Sequence, residues 1–210
     1  MRIKALIPAF NEEKTIGNII DILNTIPRID EVIVVDDGST DNTQQEAESR
    51  NAKVIKLDEN RGKGAALQEG ISKIDTEIIL LLDGDLIGLK DTHIYKLINP
   101  LLADEADMTI GVFKKGRGLT DLAQVVSPKL SGQRAIKLSE LKKIKSLDKK
   151  GFGVEIALNK HFKDKNRVKK VPLKELTHVM KEEKMGFVEG AKARSKMYLD
   201  IIKSIFTNIA

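Results

Sequence analysis

Cysteine and tryptophan are both absent from the 210 residues. Without cysteine there is neither a disulfide framework nor a thiolate metal site. Aromatic residues make up only 4%, so no stacking platform for nucleic acid is visible and none is expected to bind. No apolar run approaches the roughly 20 residues of a membrane span. The first strand is expected to start at Arg2, which leaves no room for a signal peptide. These absences predict a cytoplasmic chain, soluble or peripheral to a membrane.

What is present is a divided charge. The formal net charge is +5, but residues 1–112 carry a net of −9 and residues 113–210 a net of +14. A basic half attracts phosphates or anionic lipid; it is also what a solvated lysine-rich surface looks like. Hydrophobic residues at 41% support a globular fold with a substantial core.

The first half alternates. Strands are predicted at Ile3–Ile7, Glu31–Val35, Lys53–Leu57, Ile78–Leu82 and Met108–Val112, with helices at Glu12–Asn24, Thr43–Arg50, Gly64–Lys73 and His93–Ala103. Strand–helix alternation at this spacing means an α/β fold with parallel strands and right-handed crossovers. The second half is less regular. Glycines and Pro128 mark loop and short helices across 116–132. A helix is predicted at Val154–Phe162 and a strand at Val168–Leu173, with Lys174–Met180 continuing or pairing with that strand. Phe187 to Thr207 reads as a terminal amphipathic helix: Phe187, Ala191, Tyr198 and Ile202 fall on one stripe, and Lys192, Lys196 and Lys203 on the other side. That stripe fits packing on the domain, a second subunit in a homodimer, or an anionic membrane surface.

The most informative stretch is Leu80-Leu81-Leu82-Asp83-Gly84-Asp85. Ile78 to Leu82 reads as a strand buried on both faces. Asp83 and Asp85 then emerge at its carboxyl end, where open α/β sheets place their ligands. Two hard carboxylates there suit a divalent cation on a diphosphate; solvated turn residues are the plainer alternative.

Three more segments follow earlier strands. Ile7-Pro8-Ala9-Phe10-Asn11-Glu12-Glu13 ends the first: Pro8 lacks a ladder donor, and Asn11 can cap the next helix. Val35-Asp36-Asp37-Gly38-Ser39-Thr40-Asp41 ends the second. At least one of Asp36 and Asp37 should point into the carboxyl-end crevice, and Asp41 reads as an N-cap in a capping-box arrangement with Gln44. Asn60-Arg61-Gly62-Lys63-Gly64-Ala65 follows the third, with exposed amides and a cation at a helix start that can meet a phosphate or base. It is not a Walker A loop, and no G-x-G-x-x-G stands in the first turn, which disfavours a nicotinamide site.

Together and in this order the four segments resemble the family 2 glycosyltransferases, which implies the GT-A fold: a Rossmann-like, mostly parallel sheet flanked by helices, here with the C-terminal amphipathic helix. The resemblance implies one domain over 1–210, with a nucleotide-sugar-binding half at 1–113 and an acceptor- and metal-completing half at 114–210. It implies that Pro8, Ala9, Phe10 and Glu12 lie beside the nucleotide and that Asp37 faces the base. Gly62 and Lys63 come near base or phosphates, Asp83 near ribose or metal, and Asp85 ligates Mg2+ or Mn2+.

Ser131-Gly-Gln-Arg-Ala135, Gly151-Phe-Gly-Val-Glu-Ile156 and Thr177-His-Val-Met-Lys resemble a narrower group, similar to glucosyl-3-phosphoglycerate synthases and polyprenyl-phosphate glycosyltransferases. That group implies His178 as the third metal ligand. Gln133 and Arg134 are candidates for an acceptor phosphate, matched bidentately by a guanidinium fork; a solvent-facing loop arginine is the other reading. Glu155 is a candidate to bind the acceptor or act as its base, or only to complement a helix dipole. His93 and His161 read as ordinary packing or surface residues.

Two family marks are missing. There is no Glu-Asp pair of the kind many inverting members use as base, and no Gln-x-x-Arg-Trp of processive synthases. An acceptor that is already anionic fits a missing base, because a phosphate oxygen needs no deprotonation at neutral pH. The expectation is metal-dependent sugar transfer, with UDP-glucose the first choice of donor and a small or lipid-phosphate acceptor. A nucleotidyltransferase on a related sheet and a non-catalytic nucleotide-sugar-binding protein are the rivals.

Overall fold

The computed structural model describes residues 1–114, 131–144, 153–163 and 167–179. The chain forms two compact units, Met1–Thr177 and His178–Ala210; of the second, only His178 and Val179 are among the described residues. The predicted terminal helix from Phe187 lies outside them.

In the first unit the strands are β1 (Ile3–Ala9), β2 (Glu31–Asp36), β3 (Lys53–Lys56), β4 (Ile78–Leu81), β5 (Leu86–Ile87), β6 (Met108–Lys114), β7 (Arg134–Lys137) and β8 (Val168–Lys174). The helices are α1 (Ile16–Asn24), α2 (Thr43–Glu48), α3 (Lys63–Ser72), α4 (Asp91–Leu102), α5 (Leu138–Leu141) and α6 (Gly153–His161). Seven strands join one sheet in the order β3-β2-β1-β4-β7-β6-β8. The pairs β1–β2, β1–β4, β2–β3 and β6–β8 are parallel, and β7 runs antiparallel to both β4 and β6. The sheet is mainly parallel with helices on both faces, as in the GT-A fold.

Side-chain alternation splits the core into two layers. Ile3, Ala5, Ile7, Val34, Ile78 and Leu80 point to the face covered by α1 and α4. Leu6, Ile33, Val35, Ile79 and Leu81 point to the opposite face, covered by α3, α5 and α6. Burying each Ile or Leu contributes roughly 1.5–3 kcal/mol, so β1 and β4 are held from both sides. Chain order reverses at β1, which has β2 on one side and β4 on the other. The crevice at the carboxyl ends of β1 and β4 is therefore a topological switch point.

Several expectations need correction. The first helix starts at Ile16 and not Glu12; Glu12 to Thr15 form a turn in which the Thr15 and Ile16 amides donate to Glu12 O. Asn11 does not cap it. Asn11 has a φ of 56° and its Oδ1 accepts from the Thr40 amide at 2.9 Å. Asp41 forms no capping box with Gln44. Helix α2 begins at Thr43 after Asn42, Asp41 accepts from Thr43 and from the Glu13 amide, and Gln44 donates to Glu48. β7 is a strand where no strand was predicted. Thr177–His178, called β9, does not pair with β8 but with β5 in a separate two-stranded sheet.

Candidate active site

The site is built at the ends of β1, β2 and β4 and the start of α3. Asp37 follows β2, and its amide donates to Ala9 O at 2.8 Å, tying the ends of β1 and β2 together. The Asp37 side chain is buried and faces the Asn60–Gly62 turn. Its Oδ1 accepts from the Arg61 amide at 2.9 Å and its Oδ2 from the Gly62 amide at 2.8 Å. Gly62 has a φ of 90°, a left-handed conformation that a side chain would strain, and it stands directly before α3. The carboxylate thus fixes the turn that launches Lys63. Asp36 is buried too, and its Oδ1 accepts from the Ser39 amide.

Lys63, the first residue of α3, reaches two carboxylates. Its Nζ lies 2.7 Å from Asp83 Oδ1 and 2.7 Å from Glu155 Oε1. Glu155 comes from the first turn of α6, and its side chain is only 5% exposed. Burial works against the Lys63 ammonium, but the charges of Asp83 and Glu155 outweigh it and hold the group above its ordinary pKa. Glu155 therefore sits in a helix first turn and also pairs with a cation.

Asp83 is held from a second direction. Gln133 Nε2 donates to its Oδ2 at 2.8 Å, and Gln133 Oε1 accepts from Ser131 Oγ. Gly132 packs directly on this carboxylate, so closely that any Cβ there would overlap it. The sequence flagged the segment but not Gly132's own part in it.

Arg134 is no solvent-facing loop residue. It is fully buried on β7, where Nε donates to Ser131 O at 2.9 Å and one Nη to Asn159 Oδ1 at 3.1 Å. Desolvation lowers its pKa to about 10, against the pull of Glu155 and Asp83. Pro8, Lys63, Asp83, Gly132, Arg134 and Glu155 line one small pocket, floored by Leu81, Leu82, Val154 and Leu158. The apolar floor residues Val154 and Leu158 were not among the expected site residues.

The residues expected beside the nucleotide fall around the β1 end. Ala9 is buried, Phe10 is 41% exposed, and the Glu12 amide donates to Thr43 Oγ1 at 2.7 Å. Neither Phe10 nor Glu12 lines the small pocket. His93 and His161 take packing roles. His93 is buried between α4 and β8, and His161 Nε2 pairs with Glu140 at 3.0 Å.

Asp83, Asp85 and His178 each offer one ligand atom, and these atoms lie within 4.8 Å of one another. Carboxylate oxygen and imidazole are donors that Mg2+ and Mn2+ accept. The set therefore fits a divalent cation.

A parallel sheet with a carboxylate pair at the switch point defines a class, and comparison with known proteins supplies its family. The model for glycosyl transferase family 2 matches residues 5–154, and the chain belongs to that family. Among curated relatives it is 30% identical over 194 residues to glucosyl-3-phosphoglycerate synthase of Mycobacterium tuberculosis, covering 74% of this chain and 59% of that protein. To the enzyme of the same name from Petrotoga mobilis it is 32% identical over 114 residues, covering 49% of this chain and 35% of the relative. The chain thus spans less than two thirds of the length of these relatives. Among solved structures, the Mycobacterium tuberculosis synthase in complex with Mn2+, UDP-glucose and phosphoglyceric acid superposes with a TM-score of 0.69 at 28% identity, covering 84% of this chain and 71% of that one. Among the described residues no helix is long and apolar enough to cross a membrane.

Proposed function

We propose that the protein transfers glucose from UDP-glucose to a small phosphate-bearing acceptor of the phosphoglycerate kind, with Mg2+ or Mn2+ held by Asp85, Asp83 and His178. The observation that carries this reading is the convergence of those three side chains at the carboxyl end of β4, beside the Lys63 pocket. When bound, the cation supplies positive charge to the diphosphate of the donor.

The chain's own residues do the rest. Asp37 keeps the Asn60–Gly62 turn in place for the base, and Lys63 supplies a cation beside the diphosphate. Gln133 and Gly132 fix the rotamer of Asp83, so its orientation is set before substrate arrives. Glu155 is buried against Lys63, which suits hydrogen bonding to the sugar or acceptor. On a phosphoglycerate acceptor the attacking atom is a hydroxyl oxygen, whose proton must be taken up as the glycosidic bond forms; Glu155 is the pocket carboxylate outside the metal set that can take it. A lipid-phosphate acceptor at a membrane is the less favoured form of the same chemistry, because the curated relatives bear the name of an enzyme glucosylating phosphoglycerate.

The test is calorimetric titration of UDP-glucose and GDP-mannose, with and without Mn2+, into wild type and Asp85→Ala. Product formation with 3-phosphoglycerate is then followed by mass spectrometry. Metal-dependent binding of UDP-glucose that Asp85→Ala abolishes, together with a glucosylated product, supports the reading. Binding of GDP-mannose alone would move the donor, and no binding of either would sink it.

A further inference from the structure

The Lys63 ion pairs carry a consequence for how metal and nucleotide bind. The ammonium is bound 2.7 Å from an oxygen of Asp83, one of the two carboxylates of the metal cluster, and it is anchored on its far side by Glu155 at 2.7 Å. Gln133 takes the other oxygen of Asp83 at 2.8 Å. Both oxygens of that carboxylate therefore already face donors, and one of the donors is a full positive charge. A divalent ion approaching Asp83 meets a like charge within a few ångströms, where repulsion in a partly buried site is strong.

Lys63 is only partly enclosed. Its side chain is 34% exposed and ends a flexible four-carbon stem. Arg134, the other cation lining the pocket, is fully buried and bonded on two sides. A partly exposed cation and a buried one thus stand at the same site, and the Lys63 ammonium lies 2.7 Å from a carboxylate of the metal cluster.

We infer that Lys63 is a resident counter-cation: in the nucleotide-free protein it holds Asp83 away from the divalent ion, and an incoming diphosphate draws it off, so that metal and nucleotide bind as a coupled pair. The inference rests on the reading of Asp83, Asp85 and His178 as the metal site. Coupling of this kind is reciprocal, so metal and nucleotide raise each other's affinity by the same factor. Metal alone binds weakly because its charge meets the ammonium that Glu155 holds beside Asp83.

The experiment is Mn2+ titration, read by calorimetry and by the spin-resonance signal of free Mn2+, into wild type, Lys63→Gln and Lys63→Arg, each without and with UDP. Without UDP, Lys63→Gln is expected to bind Mn2+ roughly tenfold more tightly than wild type, because the competing charge is gone. The factor by which UDP enhances Mn2+ binding shrinks in that variant. Lys63→Arg keeps a cation and stays near wild type without UDP. Equal or weaker Mn2+ binding by Lys63→Gln without UDP overturns the proposal. So does a failure of both Lys63→Gln and Lys63→Met to fold, checked by circular dichroism, since the pair would then be a structural bridge. Wild type that binds neither Mn2+ nor UDP would sink the functional reading itself, whereas wild type binding both, with no change in Lys63→Gln, sinks the counter-cation alone.

Discussion

Gly132 lies flat against the carboxylate of Asp83, leaving no room for a Cβ between the two. The contact links the loop before β7 to the end of β4, and it fixes where one expected metal ligand points. Gly132→Ala must push Asp83 off its present rotamer or move the loop. Metal-dependent UDP-glucose affinity is expected to fall by about tenfold or more, as a misplaced charged group costs on the order of 1.4 kcal/mol or above. Circular dichroism should show an unchanged fold. Calorimetry with Mn2+ present decides it, and unaltered affinity would mean that Asp83's orientation does not matter to binding.

Asp37 offers a separate test of how the site is assembled. Its two oxygens each accept one backbone amide, from Arg61 and Gly62. Asparagine keeps one acceptor oxygen and turns the other position into a donor facing a donor. Asp37→Asn is expected to lose about 1–3 kcal/mol of stability, the usual cost of a buried donor left unpaired. The donor should also bind more weakly, because the turn carrying Lys63 loosens. Urea denaturation measures the first effect and calorimetry the second.

His93 predicts a pH dependence. The side chain is 2% exposed. Its Nδ1 accepts from the Lys90 amide at 3.2 Å, and its Nε2 lies 2.9 Å from Lys174 O, which assigns the neutral tautomer protonated at Nε2. Burial lowers its pKa below the ordinary 6.5, against the raising effect of the Lys174 carbonyl. A group with a depressed folded pKa gives stability that is fully present above the unfolded value and lost as pH falls through the folded one. Wild type should therefore lose stability below pH 6.5, and His93→Gln should lose less over the same interval. Urea midpoints at neutral and mildly acid pH compare the two, and parallel pH profiles would remove His93 as the cause.

Much of the first half of the chain was legible in the sequence. Ile3–Ile7 reads as a strand and the apolar run Ile78–Leu82 as a strand buried on both faces, and β1 and β4 are found there. The aspartate pair at the end of the second run, and a lysine at a helix start, follow from strand and turn chemistry alone. The pairing of Lys63 with Glu155 does not, because the two are 92 residues apart and only the tertiary fold joins them. β7 was missed for a similar reason. Arg134–Lys137 is four residues long with a charge at each end, and it becomes a strand by pairing antiparallel between β4 and β6. Local propensity carries no trace of such a non-local pairing. The start of α1 was misread because Glu12, Glu13 and Lys14 are residues that a helix accepts, while the Thr15 and Ile16 amides close a turn on Glu12 O.

Arg134 separates a structural duty from a binding one. Its buried guanidinium bonds Ser131 O and Asn159 Oδ1, so it braces both the loop that carries Gly132 and the helix that carries Glu155. Lysine has no planar fork and cannot reach both partners at once. Arg134→Lys is therefore expected to cost about 2–4 kcal/mol of stability, in the range for breaking a buried charged contact. Metal and donor affinity should fall with it, because Asp83 and Glu155 lose their backing. The acceptor-phosphate reading of the same residue predicts another pattern: a normal urea midpoint, normal UDP-glucose affinity and a raised acceptor KM. Measuring the midpoint and the two affinities on one preparation tells a bracing residue from one that meets the acceptor.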